Sequence, residues 1–245
     1  MSREKRQRGL APDDAVAFGP GALATLRQAV EEYGWLLTRG YAAQAALKLV
    51  GDRHQLTARQ RKAIYRCACT DHARINRSAH QCRPEDLGGR ELEIDGFNLL
   101  ITVETALAGG LVLVGRDTAH RDLASVHGSY RTVVHTREAL QRIGDSLGRL
   151  QIRSAHWWLD RPVGNSGRLR AQILELAEAN GWPWSAELIN NPDRELVRTE
   201  RIVVTSDAWI LDGCQTWFDL AGHVVAEAVG TIPQVRLVDL GKSPT

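Results

Sequence analysis

The sequence predicts an α/β domain built on a mostly parallel sheet flanked by helices, preceded by a small all-α module. Three observations carry that expectation. Short apolar runs near 91–95, 111–115, 155–159, 185–189, 201–205 and 234–239 alternate with helical patterns near 98–108, 132–150, 167–180 and 219–229. Strands separated by helices imply a parallel sheet covered on both faces. Upstream of residue 84 the pattern is helical only, and Pro84 to Gly89 forms a turn-rich joint where it changes. The expected division is a flexible tail over 1–21, a helical module over 22–86 and an α/β domain over 90–245.

The tail is polar and punctuated by Pro12, Gly19 and Pro20. Residues 22–37 place Leu23, Leu26, Val30, Tyr33, Leu36 and Leu37 at helical spacing, and Gly40 stops the run. A second helix over 42–50 turns Ala45, Ala46, Leu49 and Val50 inward and ends at Gly51. Thr57 opens a third helix with Gln60 in capping-box position. Three short helices with sharp turns resemble a helix-turn-helix module, a spacing that many small helical bundles share.

Composition excludes several classes. With 43% apolar and 24% charged residues over 245 positions, the chain is long enough to bury a real core and is not disordered. Met1 to Arg8 is basic without an apolar stretch, unlike a signal peptide, and no apolar run approaches the roughly 20 residues that cross a bilayer. A cytoplasmic location without a membrane partner is the expectation. Four cysteines, Cys67, Cys69, Cys82 and Cys214, are too few for a secreted disulfide framework. Three of them lie near His72 and His80, which raises zinc. Positions two apart on a helix point about 200° apart, so Cys67 and Cys69 cannot chelate together while helical. Free or buried thiols are the simpler reading.

The net charge of +2 is unevenly placed. Residues 1–90 hold 16 Lys and Arg against 9 Asp and Glu, whereas residues 91–245 hold 15 against 20. A basic half joined to an acidic half fits a nucleic-acid-binding module feeding an acidic, metal-using centre, while a solvated basic helical face gives the same count.

Three acids follow strand-like runs: Asp95 after Leu92-Glu93-Ile94, Asp160 after Trp157-Trp158-Leu159, and Asp207 after Ile202 to Ser206. In open α/β sheets ligands sit outside the carboxyl ends of the strands, where acids from separate strands can converge. Phosphodiester cleavage needs an activated water and relief of developing charge, tasks that Mg²⁺ or Mn²⁺ held by carboxylates performs. The simpler reading is that each acid caps the helix after it.

The segment Ile94-Asp95-Gly96-Phe97-Asn98-Leu99-Leu100 resembles the first-strand signature of PIN-like and NYN-type ribonucleases, and Val203-Val204-Thr205-Ser206-Asp207 resembles their later strand. Leu36 to Arg66, with Leu37-Thr38-Arg39-Gly40-Tyr41 and Leu47-Lys48-Leu49-Val50-Gly51-Asp52-Arg53, resembles the family called domain of unknown function 434. Together the resemblance covers about residues 24–228. It implies a Rossmann-like (PIN-like) sheet and metal-dependent cleavage of RNA. Asp95 matches the first-strand acid, Asn98 the polar residue that orients it, and Asp207 the late-strand acid. Asp160 takes the middle station, where a helix-borne acid is usual in that family.

Other candidates surround these. Asp212, five residues after Asp207, is a second-metal contact or a helix cap. Glu104 lies about two and a half helical turns beyond Asp95, too far along to share its metal. Arg116, Arg121 and Arg131 in a polar stretch read as phosphate contacts or as members of internal salt bridges. Asn165, Ser166 and Arg168 open a helix whose free N–H groups suit a phosphate, with Arg161 alongside. Arg59, Arg61, Lys62 and Arg66 form the basic face of the third helix. No Walker loop, dinucleotide fingerprint or nucleophile elbow is present. The expected function is therefore a metal-dependent nuclease, most simply a ribonuclease, using Mg²⁺ or Mn²⁺. The competing expectations are a non-catalytic RNA-binding adaptor that keeps a PIN-like fold, and a phosphate-transferring enzyme using the Asn165 to Arg168 helix start. RNA is the implied partner, and a homodimer is left open.

Overall fold

A computed structural model of the chain describes residues 9–124, 130, 133–229, 232 and 234–242. Five helices open it: α1 (Asp14–Ala17), α2 (Pro20–Thr38), α3 (Ala43–Arg53), α4 (Ala58–Cys67) and α5 (Asp71–Ala79). The capping box read at Thr57 forms as expected: the Thr57 hydroxyl accepts from the Gln60 backbone amide and the Gln60 side chain accepts from the Thr57 amide. α1 lies within the stretch read as tail. It is held because Arg59 on α4 clasps the buried Asp14 through both carboxylate oxygens. α5 was not anticipated, although Thr70 caps it by accepting from the Ala73 amide.

The second half alternates β1 (Glu91–Asp95), α6 (Gly96–Leu107), β2 (Leu111–Val114), β3 (His120–Asp122), α7 (Thr136–Arg149), β4 (Ser154–Asp160), α8 (Ser166–Asn180), β5 (Trp184–Ile189), α9 (Pro192–Arg198), β6 (Ile202–Val204), α10 (Ala208–Gly213), β7 (Trp217–Phe218), α11 (Leu220–Ala228) and β8 (Arg236–Asp239). The main sheet has the order β5-β4-β1-β6-β7, and every pairing in it is parallel. This is the expected mixed α/β arrangement of a mostly parallel sheet flanked by helices. The single sheet expected from the strand pattern is corrected in one respect. The runs near 111–115 and 234–239 leave it and, as β2 and β8, build a separate three-stranded sheet with β3. The reason is packing: Leu111 and Leu113 of β2 share a core with Leu26, Ala29, Val30 and Ile64 of the helices, so that edge of the domain is buried by the N-terminal module.

The segment joining the two halves is stitched to the main sheet. Cys82 donates its amide to the Trp217 carbonyl, the Trp217 amide donates to the His80 carbonyl, and the Trp217 indole donates to the Arg77 carbonyl at 2.7 Å. The strand order also locates a ligand crevice. From β1 the chain moves outward to β4 and β5, then returns to the other side of β1 at β6, so the direction of winding reverses between β1 and β6. Ligands of doubly wound sheets sit at that reversal, outside the carboxyl ends of the strands.

Candidate functional site

β1 and β6 end side by side at the reversal, with Ile94 opposite Val204. The next residues, Asp95 and Thr205, therefore meet, and the Thr205 hydroxyl donates to Asp95 Oδ2 at 2.9 Å. Gly96 lets α6 begin immediately: a Cβ there would stand 2.6 Å from a Leu159 methyl and 3.0 Å from the Trp158 carbonyl oxygen. One turn into α6, Asn98 Oδ1 accepts from both the amide and the hydroxyl of Ser206, each at 2.9 Å. Asn98 thus ties the start of α6 to the strand end that carries Asp207. The Thr205 hydroxyl also accepts from the Asp207 amide at 3.0 Å, so one hydroxyl spans both acids.

The two acids differ in what they do locally. Asp207 caps α10, accepting from the amides of Trp209 and Ile210, which is the simpler role considered for it. Asp95 is a weaker cap: no amide of α6 meets hydrogen-bond geometry with its side chain, although the Asn98 amide lies near enough to favour its charged form slightly. Its carboxyl is pushed up to about 7, first because burial strips water from it; the Thr205 hydrogen bond pulls it down, Asp193 and Asp207 push it further up, and the Asn98 backbone amide pulls weakly down. Asp193 is likewise raised, by burial and then by Asp207 and Asp160. Four acids thus feel one another at the carboxyl edge of the sheet.

Asp193 is the residue that sequence reasoning missed. It stands in the first turn of α9, after β5, behind Asn191 in a left-handed conformation and Pro192 at the first helical position. The run Asn190-Asn191-Pro192-Asp193 is a readable strand exit and helix start. Asp160 lies farther out than Asp95. The register sets Asp95 beside Trp158, so Asp160 is two residues along β4, roughly 6.6 Å farther on the same face. Among the described residues, no three His, Cys, Asp or Glu side chains are gathered closely enough to hold a metal ion as they stand.

Beside this edge a cleft of about 420 Å³ runs between the helical module and the sheet. Tyr65, Arg66 and Arg77 line it from the helices, and Asn98, Ser206 and Asp207 from the strand ends. An interior ion network closes its floor. Asp117 is gripped by Arg121 through both oxygens at 2.7 Å and by Arg77 at 2.5 Å. The same two arginines hold the acid-bearing loop: Arg121 donates to the Ser206 carbonyl, and Arg77 to the Ala208 carbonyl and to Asp212 at 2.7 Å. Asp212 therefore faces Arg77, and its place is in the network. Trp209, more than half exposed, stands two residues past Asp207.

The remaining candidates fall in different places. Arg59 and Arg61 are paired with Asp14 and Asp52, and the Lys62 ammonium donates to the Leu123 carbonyl; Arg66, the one of the four that lines the cleft, is itself held by Asp122, donating to its carbonyl. Arg116 donates to the Cys69 carbonyl and to Asp71. Arg131 lies outside the described residues. Arg161 donates to the Leu188 carbonyl, Asn165 to the Tyr130 carbonyl, and the Ser166 hydroxyl to the Arg161 carbonyl, while Arg168 is exposed on α8. Glu104 is buried and accepts from Tyr130 and Thr136, away from the acids. Cys67 and Cys69 are buried thiols pushed up to about 12 and about 11 by loss of water, far from the thiolate a metal requires. No helix among the described residues is long and apolar enough to cross a membrane.

Comparison with known families accounts for both halves. Residues 25–79 match the Protein of unknown function (DUF434) family, in agreement with the resemblance read from Leu36 to Arg66. Residues 84–223, more than half of the chain, match the Domain of unknown function (DUF5616) family, and the chain belongs to that family. An uncharacterized protein of Methanocaldococcus jannaschii is 28% identical over 187 residues, covering 76% of this chain and 89% of its own length. No solved structure matches.

Proposed function

We propose that this member of the DUF5616 family is a metal-dependent nuclease of PIN-like type, acting on RNA, with Asp95 at its centre. The observation that carries the reading is that Asp193 and Asp207 act electrostatically on Asp95, and Asp160 and Asp207 on Asp193, at the winding reversal, with no arginine or lysine paired to Asp95 among the described residues. Two buried acids with a structural role, Asp14 and Asp117, are paired with arginines. An unpaired carboxyl kept from water is a feature of sites that bind a cation or move a proton.

The donors are all carboxylate oxygens, which suits Mg²⁺ or Mn²⁺. As they stand no three of these acids are close enough to hold it among the described residues, so binding would have to draw Asp193 or Asp160 toward Asp95 and the Asp207 oxygen that does not cap α10. Bound there, the ion would activate a water and offset charge on the phosphate. The chain's own contribution is positioning: Asn98 and Thr205 fix the two strand ends, and Arg77 and Arg121 hold the loop that carries Asp207. Arg66 lines the cleft where a phosphate would lie, and the exposed Trp209, two residues past Asp207, is a surface on which a base could stack.

A second reading, an RNA-binding adaptor that keeps the PIN-like shape, is favoured by one observation: the acids as they stand form no closed set of three. The two part on a single experiment. Labelled single-stranded RNA, structured RNA and single-stranded DNA are incubated with Mn²⁺, Mg²⁺ or EDTA, using wild type and Asp95→Asn. The nuclease reading expects metal-dependent cleavage that falls by roughly two to three orders of magnitude in the variant. RNA retained without cleavage would establish the adaptor instead.

A further inference from the structure

We infer that a second, smaller cavity bounded by Arg27, Arg74, Arg116 and Lys242 binds a terminal phosphate group. The cavity measures about 150 Å³ and is drawn from four separate parts of the chain: α2, α5, the turn after β2 and the segment after β8. Four cations from distant sequence positions face one small space whose lining holds a single acid, Glu31, so its potential is positive.

Each cation has its own support. Arg27 Nε donates to the Asp239 carbonyl at 3.0 Å, which orients its guanidinium. Arg116 is fixed by the Cys69 carbonyl at 2.7 Å and Asp71 at 2.8 Å. Gly34 makes room for it, since a Cβ there would stand 2.2 Å from Arg116 Nη1. Lys242 stands 3.5 Å from Asp239. Arg74 is exposed, and its guanidinium makes neither a hydrogen bond nor an ion pair among the described residues. Against these four cations stand Glu31 in the lining, Asp71 on Arg116 and Asp239 beside Lys242, which leaves one net positive charge, and Arg74 is the cation whose side chain has no partner among the described residues.

Size and charge select the ligand class. The cavity has the volume of about five waters, enough for one tetrahedral oxyanion with its remaining hydration. A phosphomonoester carries about −1.5 to −2 charge at neutral pH and three acceptor oxygens, against a single charge on a diester. Guanidinium groups match those oxygens in pairs. The source is either the end of a polynucleotide or a mononucleotide. The cavity adjoins the acid cleft: Tyr33 and Leu37 of α2 and Ala73 and Arg77 of α5 line the cleft, while Arg27 and Arg74 of the same helices line this cavity. An RNA end seated here would lead toward Asp95, a consequence that rests on the nuclease reading; phosphate binding itself does not.

The test is calorimetric titration of the full chain with inorganic phosphate, 5′-AMP, and one short RNA carrying either a 5′-phosphate or a 5′-hydroxyl, all in EDTA so that cleavage cannot contribute. Wild type is expected to bind phosphate and 5′-AMP saturably, and Arg74→Gln to bind about tenfold more weakly. Arg74 is exposed and unpaired, so this variant should melt at the wild-type temperature; Arg53→Gln, at a remote arginine, should bind as wild type. A preference for phosphorylated RNA that disappears in Arg74→Gln identifies the ligand as a polynucleotide end, whereas equal binding of both RNAs with retained 5′-AMP binding identifies a mononucleotide. Absence of saturable phosphate binding, or equal affinity in wild type and Arg74→Gln, overturns the site. Cleavage that persists in either case leaves the nuclease reading untouched.

Discussion

Asp117 is buried and Asp95 half-buried, and their neighbours send them in opposite directions. Burial alone would raise the Asp117 carboxyl, but Arg121 and Arg77 outweigh it and hold the group down at about 2. Asp95 has a threonine hydroxyl and two further acids beside it, and rises to about 7. One acid is neutralised by design of the interior and locks the acid-bearing loop to the helical module. The other is left uncompensated at the strand end. The difference separates a carboxylate that holds the fold from one that the fold keeps in an unfavourable state, and only the second asks for a ligand.

The comparison breaks most visibly at Arg77. Arg77→Met should leave Asp117 short of a partner and free both Asp212 and the Ala208 carbonyl, destabilising the chain by about 3–5 kcal/mol in urea unfolding. A change under 1 kcal/mol would mean the network is not structural. Next in size is the loss of RNA cleavage in Asp95→Asn described above. The same substitution sharpens the contrast through stability. Because the folded carboxyl titrates near 7 and the unfolded one near 3.8, its stabilising contribution is complete below pH 3.8 and is lost as pH rises toward 7. Asp95→Asn should therefore unfold at a higher temperature than wild type at pH 8, by on the order of 1–3 kcal/mol, and the two should converge near pH 4. A variant less stable than wild type at pH 8 would remove the case for an uncompensated Asp95.

Two smaller effects refine the picture. Arg66→Gln, in the cleft, should weaken RNA binding and reduce the slope of log affinity against log salt by about 1, while Arg61→Gln, which does not line the cleft, should leave that slope unchanged. Equal effects of the two would place the binding face on α4 as a whole. Finally, Asp193→Asn should lower the Asp95 titration midpoint by a fraction of a unit, read by carboxyl carbon NMR. An unchanged midpoint would separate Asp193 from the site.

Several features were legible from local chemistry. The Thr57 and Gln60 pair marked a helix start because a capping box is a four-residue event. Asp95 and Asp207 were marked by the apolar runs before them, because a strand end is also local. Asp193 escaped because α9 has only seven residues and shows no apolar repeat, although Pro192 and the asparagines before it signalled a helix start. The short strands β3 and β7, of three and two residues, carry too little alternation to be read at all. The basic count of the first 90 residues promised a nucleic-acid face, and pairing consumed much of it: Arg59 went to Asp14, Arg61 to Asp52 and Arg77 to Asp117.

By itself, then, the sequence determined the elements and the acids at their ends, since apolar period, capping residues and turn residues act within a few positions along the chain. Tertiary structure decided which charges are spent and which remain. It moved β2 and β8 into a second sheet under the helices, brought Arg77 to Asp117 from 40 residues away and to Asp212 from 135, and left Asp95 without a cation. The physical reason is that the energy of a buried charge depends on every group packed around it, and that environment exists only once distant segments have met.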